Sequence, residues 1–113
     1  MKKAYVTHLG SQDITAKTAR VDVVLPILAG RVNPFDVQEL LKDIQKAVTH
    51  LDAEEDYIIP AGSSVANFVA GLALGLLAPA KLKLKIFDAT KSQYKEVVLI
   101  LEKKKCPTRT TGG

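Results

Sequence analysis

Apolar residues in this chain fall into two kinds of block, short β-branched runs and longer stretches with a helical period. Ala4-Tyr5-Val6-Thr7-His8-Leu9 is the first short run and is closed by Gly10-Ser11, which predicts a strand. Residues 20–29 are again β-branched and apolar and predict a second strand as far as Pro26. The polar connection at 10–19 shows no helical period and suits a long hairpin or a functional loop. A helix is then expected, with Asn33 as cap, Pro34 in the first helical position and Asp36 in the first turn. Val37, Leu40, Leu41, Ile44, Val48 and Leu51 follow one helix face, and Gln38, Glu39, Lys42, Asp43, Gln45 and Lys46 follow the other. That pattern is a surface helix packed on a sheet.

The acidic link Asp52–Asp56 reads as a solvated turn, and it leads into Tyr57-Ile58-Ile59, a buried strand. Pro60-Ala61-Gly62 ends that strand, and an apolar helix follows over Val65–Leu77 with Asn67 as its one strongly polar side chain. A helix apolar on nearly every side is either central or covered by a second subunit. Gly71 and Gly75, four apart, leave one side smooth for close packing. Lys81-Leu82-Lys83-Leu84-Lys85-Ile86-Phe87 alternates strictly, so it predicts a strand with one buried face and its lysines in solvent. A turn at 88–93 and an apolar run at 94–102 complete a hairpin. The expectation is a single small Rossmann-like α/β domain over residues 1–102. It has a central, mostly parallel sheet, a C-terminal β-hairpin and two main helices.

Candidate chemistry centres on Gly62-Ser63-Ser64, where a strand feeds a helix. Glycine permits close backbone approach, serine hydroxyls donate hydrogen bonds, and the first helical N–H groups are free to face an anion. The simpler reading is a turn glycine followed by a capping serine. Asn67, one turn into the helix, needs partners and either faces a ligand or caps the site. If the first strand and the Tyr57 strand are parallel neighbours, Thr7–Ser11 meets Gly62-Ser63-Ser64 at the sheet edge where α/β proteins bind ligands. His8 then reads as a general acid or as the group that orients a hydroxyl, with Ser11 beside it. The plainer alternative is a histidine at a strand end. His50 suits a helix C-terminus. Asp88 and Lys91 flank the hairpin turn, as turn chemistry or as a phosphate contact.

The composition, 47% hydrophobic and 25% charged over 113 residues, fits one soluble domain. The net charge of +4 comes from Lys103, Lys104, Lys105 and Arg109 in an acid-free segment, 103–113, expected to be a flexible basic tail. The other twelve bases balance twelve acids, which argues against a duplex-DNA-binding module. Cys106 is the single cysteine, so neither an internal disulfide nor a cysteine metal cluster is expected, and a cytoplasmic location is the simplest. No signal-peptide core or membrane-length apolar run is visible. The glycines match neither a Walker loop nor a dinucleotide fingerprint, Gly62-Ser63-Ser64 is not a nucleophile elbow, and His8 and His50 lack zinc spacing. No metal site and no cofactor is expected.

The order of elements, with the stretch 56–77 followed by Leu84–Leu101, resembles the small CRISPR-associated ring nucleases, relatives of the CARF sensor domain. The resemblance implies a homodimer that binds cyclic oligoadenylate. It places Gly62, Ser63, Ser64 and Asn67 at the ligand, with His8, Gly10 and Ser11 completing the pocket across a two-fold axis. Asp88 matches an aspartate-bearing turn of one branch, with Lys91 beside it. That branch's arginine is replaced here by Thr90 or Lys91, and its histidine-bearing helix end by Leu76-Leu77-Ala78-Pro79, so metal-assisted cleavage is not carried over. Three functions follow as expectations: slow, metal-independent cleavage by 2′-hydroxyl attack, sequestration or sensing without turnover, and a structural or protein-binding role with no nucleotide.

Overall fold

The computed structural model describes residues 1–101, and the expected basic tail lies outside them. The elements are β1 (Lys3–Leu9), α1 (Ala16–Ala19), β2 (Val23–Ala29), α2 (Val37–Val48), β3 (Tyr57–Ile59), α3 (Ser64–Leu76), β4 (Lys81–Asp88) and β5 (Gln93–Ile100). They form one α/β domain around a five-stranded sheet of order β2-β1-β3-β4-β5. The first four strands run parallel, and β5 returns antiparallel as the second arm of a hairpin. The chain moves outward from β1 to β2, then crosses back to β3 on the other side of β1. The C-terminal ends of β1 and β3 therefore flank the point where the winding reverses, the usual place for a crevice in such sheets.

Strand alternation sends side chains to two unequal layers. On one face Tyr5, Ile58 and Leu82 meet α2 and α3, whose Leu40, Ile44, Val48, Ala66, Val69, Ala70, Ala73 and Leu74 are buried. Three alanines on the inner side of α3 let the helix settle close to the sheet. Ile44 is wholly buried, and its truncation to alanine removes contacts worth roughly 2–5 kcal/mol. On the other face a smaller cluster of Ala4, Val6, Tyr57 and Ile59 is covered by Ala19 of α1. No described helix is long and apolar enough to cross a membrane.

Five local expectations change. First, α2 starts at Val37 with Asp36 as its N-cap. Asn33 instead accepts the Phe35 N–H through Oδ1 at 3.0 Å, and this side-chain turn holds Pro34 and Phe35 outside the helix. Second, β2 continues through Pro26, which an edge strand tolerates because one side of its ladder is open. Third, the connection after β1 contains the single turn α1, whose capping box pairs Thr15 with Thr18. Four residues are too few to show a period. Fourth, Lys85 is buried rather than solvated. Its ammonium lies 3.2 Å from the Glu96 carboxylate and 4.6 Å from the Tyr57 ring centroid, with Lys83 also 4.4 Å from that ring. Its side chain crosses the face that α1 leaves uncovered, and the carboxylate and ring replace water around it. Fifth, in the acidic link, Asp56 is buried rather than solvated, accepting the Asp52 N–H at 2.8 Å with the Lys3 ammonium 3.8 Å away.

Candidate functional site at the C-terminal sheet edge

The loop after β1, the loop after β2, the β3–α3 turn and the β4–β5 turn all emerge at one edge of the sheet. His8, near the end of β1, is 8% exposed and joins three of them. Its Nδ1 accepts the Ser63 N–H at 2.8 Å, so Nε2 carries the ring hydrogen and donates to the Gly30 carbonyl at 2.6 Å. The ring has no nitrogen left for a substrate. Gly62 sits at φ +80°, and a Cβ there would lie 2.5 Å from both the His8 Nδ1 and the His8 carbonyl oxygen. The close approach that this glycine permits is to His8 itself.

A second network lies one residue back. The Thr7 hydroxyl accepts the Ala61 N–H at 2.9 Å and lies 2.6 Å from the Asn67 Oδ1, to which it donates. Asn67 Nδ2 donates to the Ala61 carbonyl at 2.7 Å and to the Ser63 carbonyl at 2.8 Å. The amide nitrogen is thus spent on the turn and its oxygen on Thr7 of β1, as a half-buried amide requires. Ser63 is the N-cap of α3, with Oγ accepting the Ala66 N–H at 3.3 Å. Thr7, His8, Ser63 and Asn67 therefore hold the β3–α3 turn against β1.

What faces outward is a smaller set. Among the described residues the Ser64 and Val65 N–H groups have no protein acceptor, and the Ser64 hydroxyl is exposed beside them. These are the free amides of a helix N-terminus. Gly10 donates its N–H to Gln12 Oε1 at 2.9 Å, and Ser11 is exposed on the same loop. Asp88 accepts the Thr90 N–H at 3.0 Å and pairs with Lys95 at 3.4 Å, while the Lys91 side chain is exposed. Among the described residues no hydrogen bond or ion pair joins Asp88 or Lys91 to the Gly62–Ser64 turn. The structure thus brings His8, Gly10, Ser11, Gly62, Ser63, Ser64 and Asn67 to one place. It leaves Asp88 and Lys91 on a separate turn of the same edge.

Several residues at this edge escaped the sequence reading. Thr7 was expected at this edge but given no role, and it is the hub of the second network. Arg31 and Phe35 stand in the β2–α2 loop, Phe35 being 92% exposed. Gln12, Asp13, Phe87 and Tyr94 line a crevice on the α1 side of Pro60-Ala61. Burial raises the Tyr94 phenol above its ordinary pKa. Burial also raises that of Tyr57, helped by the Glu96 carboxylate. Glu96 is held below the carboxylate range, first by its hydrogen bond from Lys85. Among the described residues no three His, Cys, Asp or Glu side chains converge as a metal site would need.

No family model, curated protein or solved structure matches the chain. The arrangement at the sheet edge therefore carries the functional argument.

Proposed function

We propose that this protein is a CARF-like, cytoplasmic homodimer that binds cyclic oligoadenylate at the edge formed by Gly10–Ser11 and Gly62–Ser64. The observation that carries the reading is the pair of unpartnered Ser64 and Val65 amides beside the Ser64 hydroxyl, at the winding reversal between β1 and β3. Two N–H donors at the positive end of a 13-residue helix suit a phosphodiester. In a two-fold dimer the same donors occur twice, which fits a ring of repeating phosphates.

An exposed apolar face of α3 supports the dimer reading. Phe68, Leu72 and Leu76, spaced four apart, are 70%, 53% and 70% exposed. Ile86, Val97 and Leu99 of the hairpin extend the patch on the same face of the sheet. Six apolar side chains gathered on one side of the molecule are the kind of surface that a specific interface buries. Gly71 and Gly75 have open space where a Cβ would stand, so a second backbone can come close.

Binding is better supported than turnover. Cleavage would form a bond from the ribose 2′-oxygen to phosphorus and break the bond to the 5′-oxygen, which takes up the proton. With both ring nitrogens engaged, His8 positions Ser63 and does not relay that proton. What the edge can supply is alignment and amide donors for the developing charge. Sequestration or sensing is accordingly the second reading, and it is the one that His8 favours.

The test is incubation of the protein with labelled cyclic tetra- and hexa-adenylate in EDTA, resolved by native gel and by product chromatography. A shifted complex supports the proposal. Linear products add metal-independent cleavage, and intact ligand in the complex selects sequestration or sensing. Absence of both leaves a protein-binding role for the α3 face and overturns the nucleotide reading.

A further inference from the structure

A second recognition element lies on the opposite side of the β3–α3 turn from Asn67. Gln12 and Asp13 of the loop after β1, Pro60 and Ala61 after β3, and Phe87 and Tyr94 of the hairpin enclose a crevice of about 270 Å³. Pockets for drug-sized ligands measure roughly 300–1,000 Å³, so this smaller space suits a single ring system. Phe87 is 52% exposed, and its ring packs edge-on to Tyr94 with centroids 5.3 Å apart at 62°. An exposed aromatic face braced on one edge by a second ring is a stacking platform. It is not part of the α3 patch, because Phe87 and Tyr94 pair on the α1 side of the sheet.

The polar rim has a defined pattern. Gln12 spends Oε1 on the Gly10 N–H, which fixes the side chain and leaves its amide NH₂ as a donor. Asp13 makes no hydrogen bond or ion pair among the described residues and, ionised, is acceptor-only. The Tyr94 phenol, a hydrogen-bond donor as well as an acceptor, also has no protein partner among the described residues. A planar ligand that stacks on Phe87 while offering an N–H to Asp13 and an acceptor to Gln12 matches this wall.

We propose that this crevice is a nucleobase subsite, that Phe87 stacks on a base bearing an exocyclic amine, and that Asp13 accepts from that amine. The inference rests on the nucleotide reading above and deepens it. Pro60 and Ala61, which form one wall, immediately precede Gly62–Ser64, so a base held here leaves its phosphate beside the free α3 amides.

The experiment titrates cyclic tetra-adenylate into wild type, Phe87→Leu and Asp13→Ala by calorimetry. It also follows backbone amide shifts of wild type and Phe87→Leu with AMP, GMP and UMP. Both substituted positions are on the surface, and thermal melts confirm that the variants fold. The expected result is weakening by about tenfold or more in each variant. AMP and GMP should move the amides of 12–14, 61 and 87–88, and UMP, which lacks the amine, should move them less. If wild type binds the ring and both variants bind it equally well, the subsite is overturned while the nucleotide reading stands. If the ring does not bind but AMP or GMP moves these amides and Phe87→Leu abolishes the effect, the subsite stands and the cyclic ligand falls. No response to any of these nucleotides overturns both.

Discussion

Three glycines offer a quantitative test of how the β3–α3 turn is held. Gly62 has φ +80° and Gly30 has φ +74°, so alanine at either position is forced into the left-handed region, at a cost of about 1–2 kcal/mol. The two differ in their surroundings. A Cβ at Gly30 meets nothing within 4 Å, whereas at Gly62 it would lie 2.5–2.6 Å from the His8 Nδ1, carbonyl oxygen and Cβ. The carbonyl and Cβ are fixed by the ladder of β1, in register with Leu28 and Ala4 with Tyr57, so the strand must shift to relieve the clash. Overpacking of this kind adds about 1–3 kcal/mol. Within one subunit Gly71→Ala in α3 has neither penalty and gains roughly 0.5–1 kcal/mol from helix propensity. The series is therefore compared in a monomeric Phe68→Lys background, clear of the proposed α3 interface.

The expected order of stability is Gly71→Ala above the Phe68→Lys parent, Gly30→Ala about 1–2 kcal/mol below it, and Gly62→Ala about 2–5 kcal/mol below. Against a total of about 5–15 kcal/mol for a domain, the last value is a large fraction. Urea denaturation measures all three, and melting temperatures should spread by roughly 4–8 °C for each kcal/mol. A Gly62→Ala variant within about 0.5 kcal/mol of Gly30→Ala would refute the idea that the turn is pressed against His8.

The buried amide network gives a double-mutant cycle: Thr7→Val and Asn67→Ala should each cost about 1–3 kcal/mol, with the double variant losing clearly less than their sum in denaturant unfolding. His8→Asn keeps an acceptor for the Ser63 N–H but loses the Gly30 tie, while His8→Gln does the reverse. Amide hydrogen exchange should stay slow at Ser63 only in the first, and equal loss of protection in both would contradict a positioning role. Glu96, whose pKa is depressed in the fold, contributes stability that is present above the ordinary carboxylate range and lost as pH falls through its folded value, so Glu96→Gln should flatten the acid limb of a melting-temperature profile. The raised phenols act in the opposite range, contributing below the ordinary value of 10.0 and losing that contribution as pH rises through their folded values, so tyrosinate absorbance should develop late in the folded protein and Tyr57→Phe should flatten the alkaline limb. Phe68→Lys, at a site 70% exposed, should leave the fold intact but convert a dimer to a monomer in analytical ultracentrifugation.

Apolar patterning was enough to find α2 and the alternating β4, each of which turns one apolar face to a core, and α3 and β5, which stand out as apolar runs. It also found β3, although that strand is only three residues long, because an apolar run ended at Pro60-Ala61-Gly62. It did not reveal which face of the sheet would stay open. Alternation put Lys81, Lys83 and Lys85 on one side, but the burial of Lys85 depends on Tyr57 and Glu96, which lie 28 residues before it and 11 after it. The Thr7–Asn67 bond spans 60 residues and the His8–Ser63 bond 55, so no local pattern contains them. Parallel pairing of β1 and β3 was enough to anticipate that Thr7–Ser11 would meet Gly62–Ser64, but not which atoms would bond.

That separation changes what a polar residue at a strand end signifies. His8, Ser63 and Asn67 stand out in the sequence because histidine, serine and asparagine are rare among apolar neighbours, and an apolar setting is also what obliges them to bond internally. Once they do, they cost the edge no open polar atoms and instead fix the backbone that presents Ser64 and Val65. Groups free to meet a ligand are the ones with no such obligation: backbone amides at a helix start, Gln12 and Asp13 on a loop, and an aromatic ring held by its neighbour. The chemistry at this edge is best sought in those groups. Substitutions at His8 or Asn67 should then lower ligand affinity only as far as they loosen the turn, which separates positioning from contact by comparing affinity with stability across one variant series.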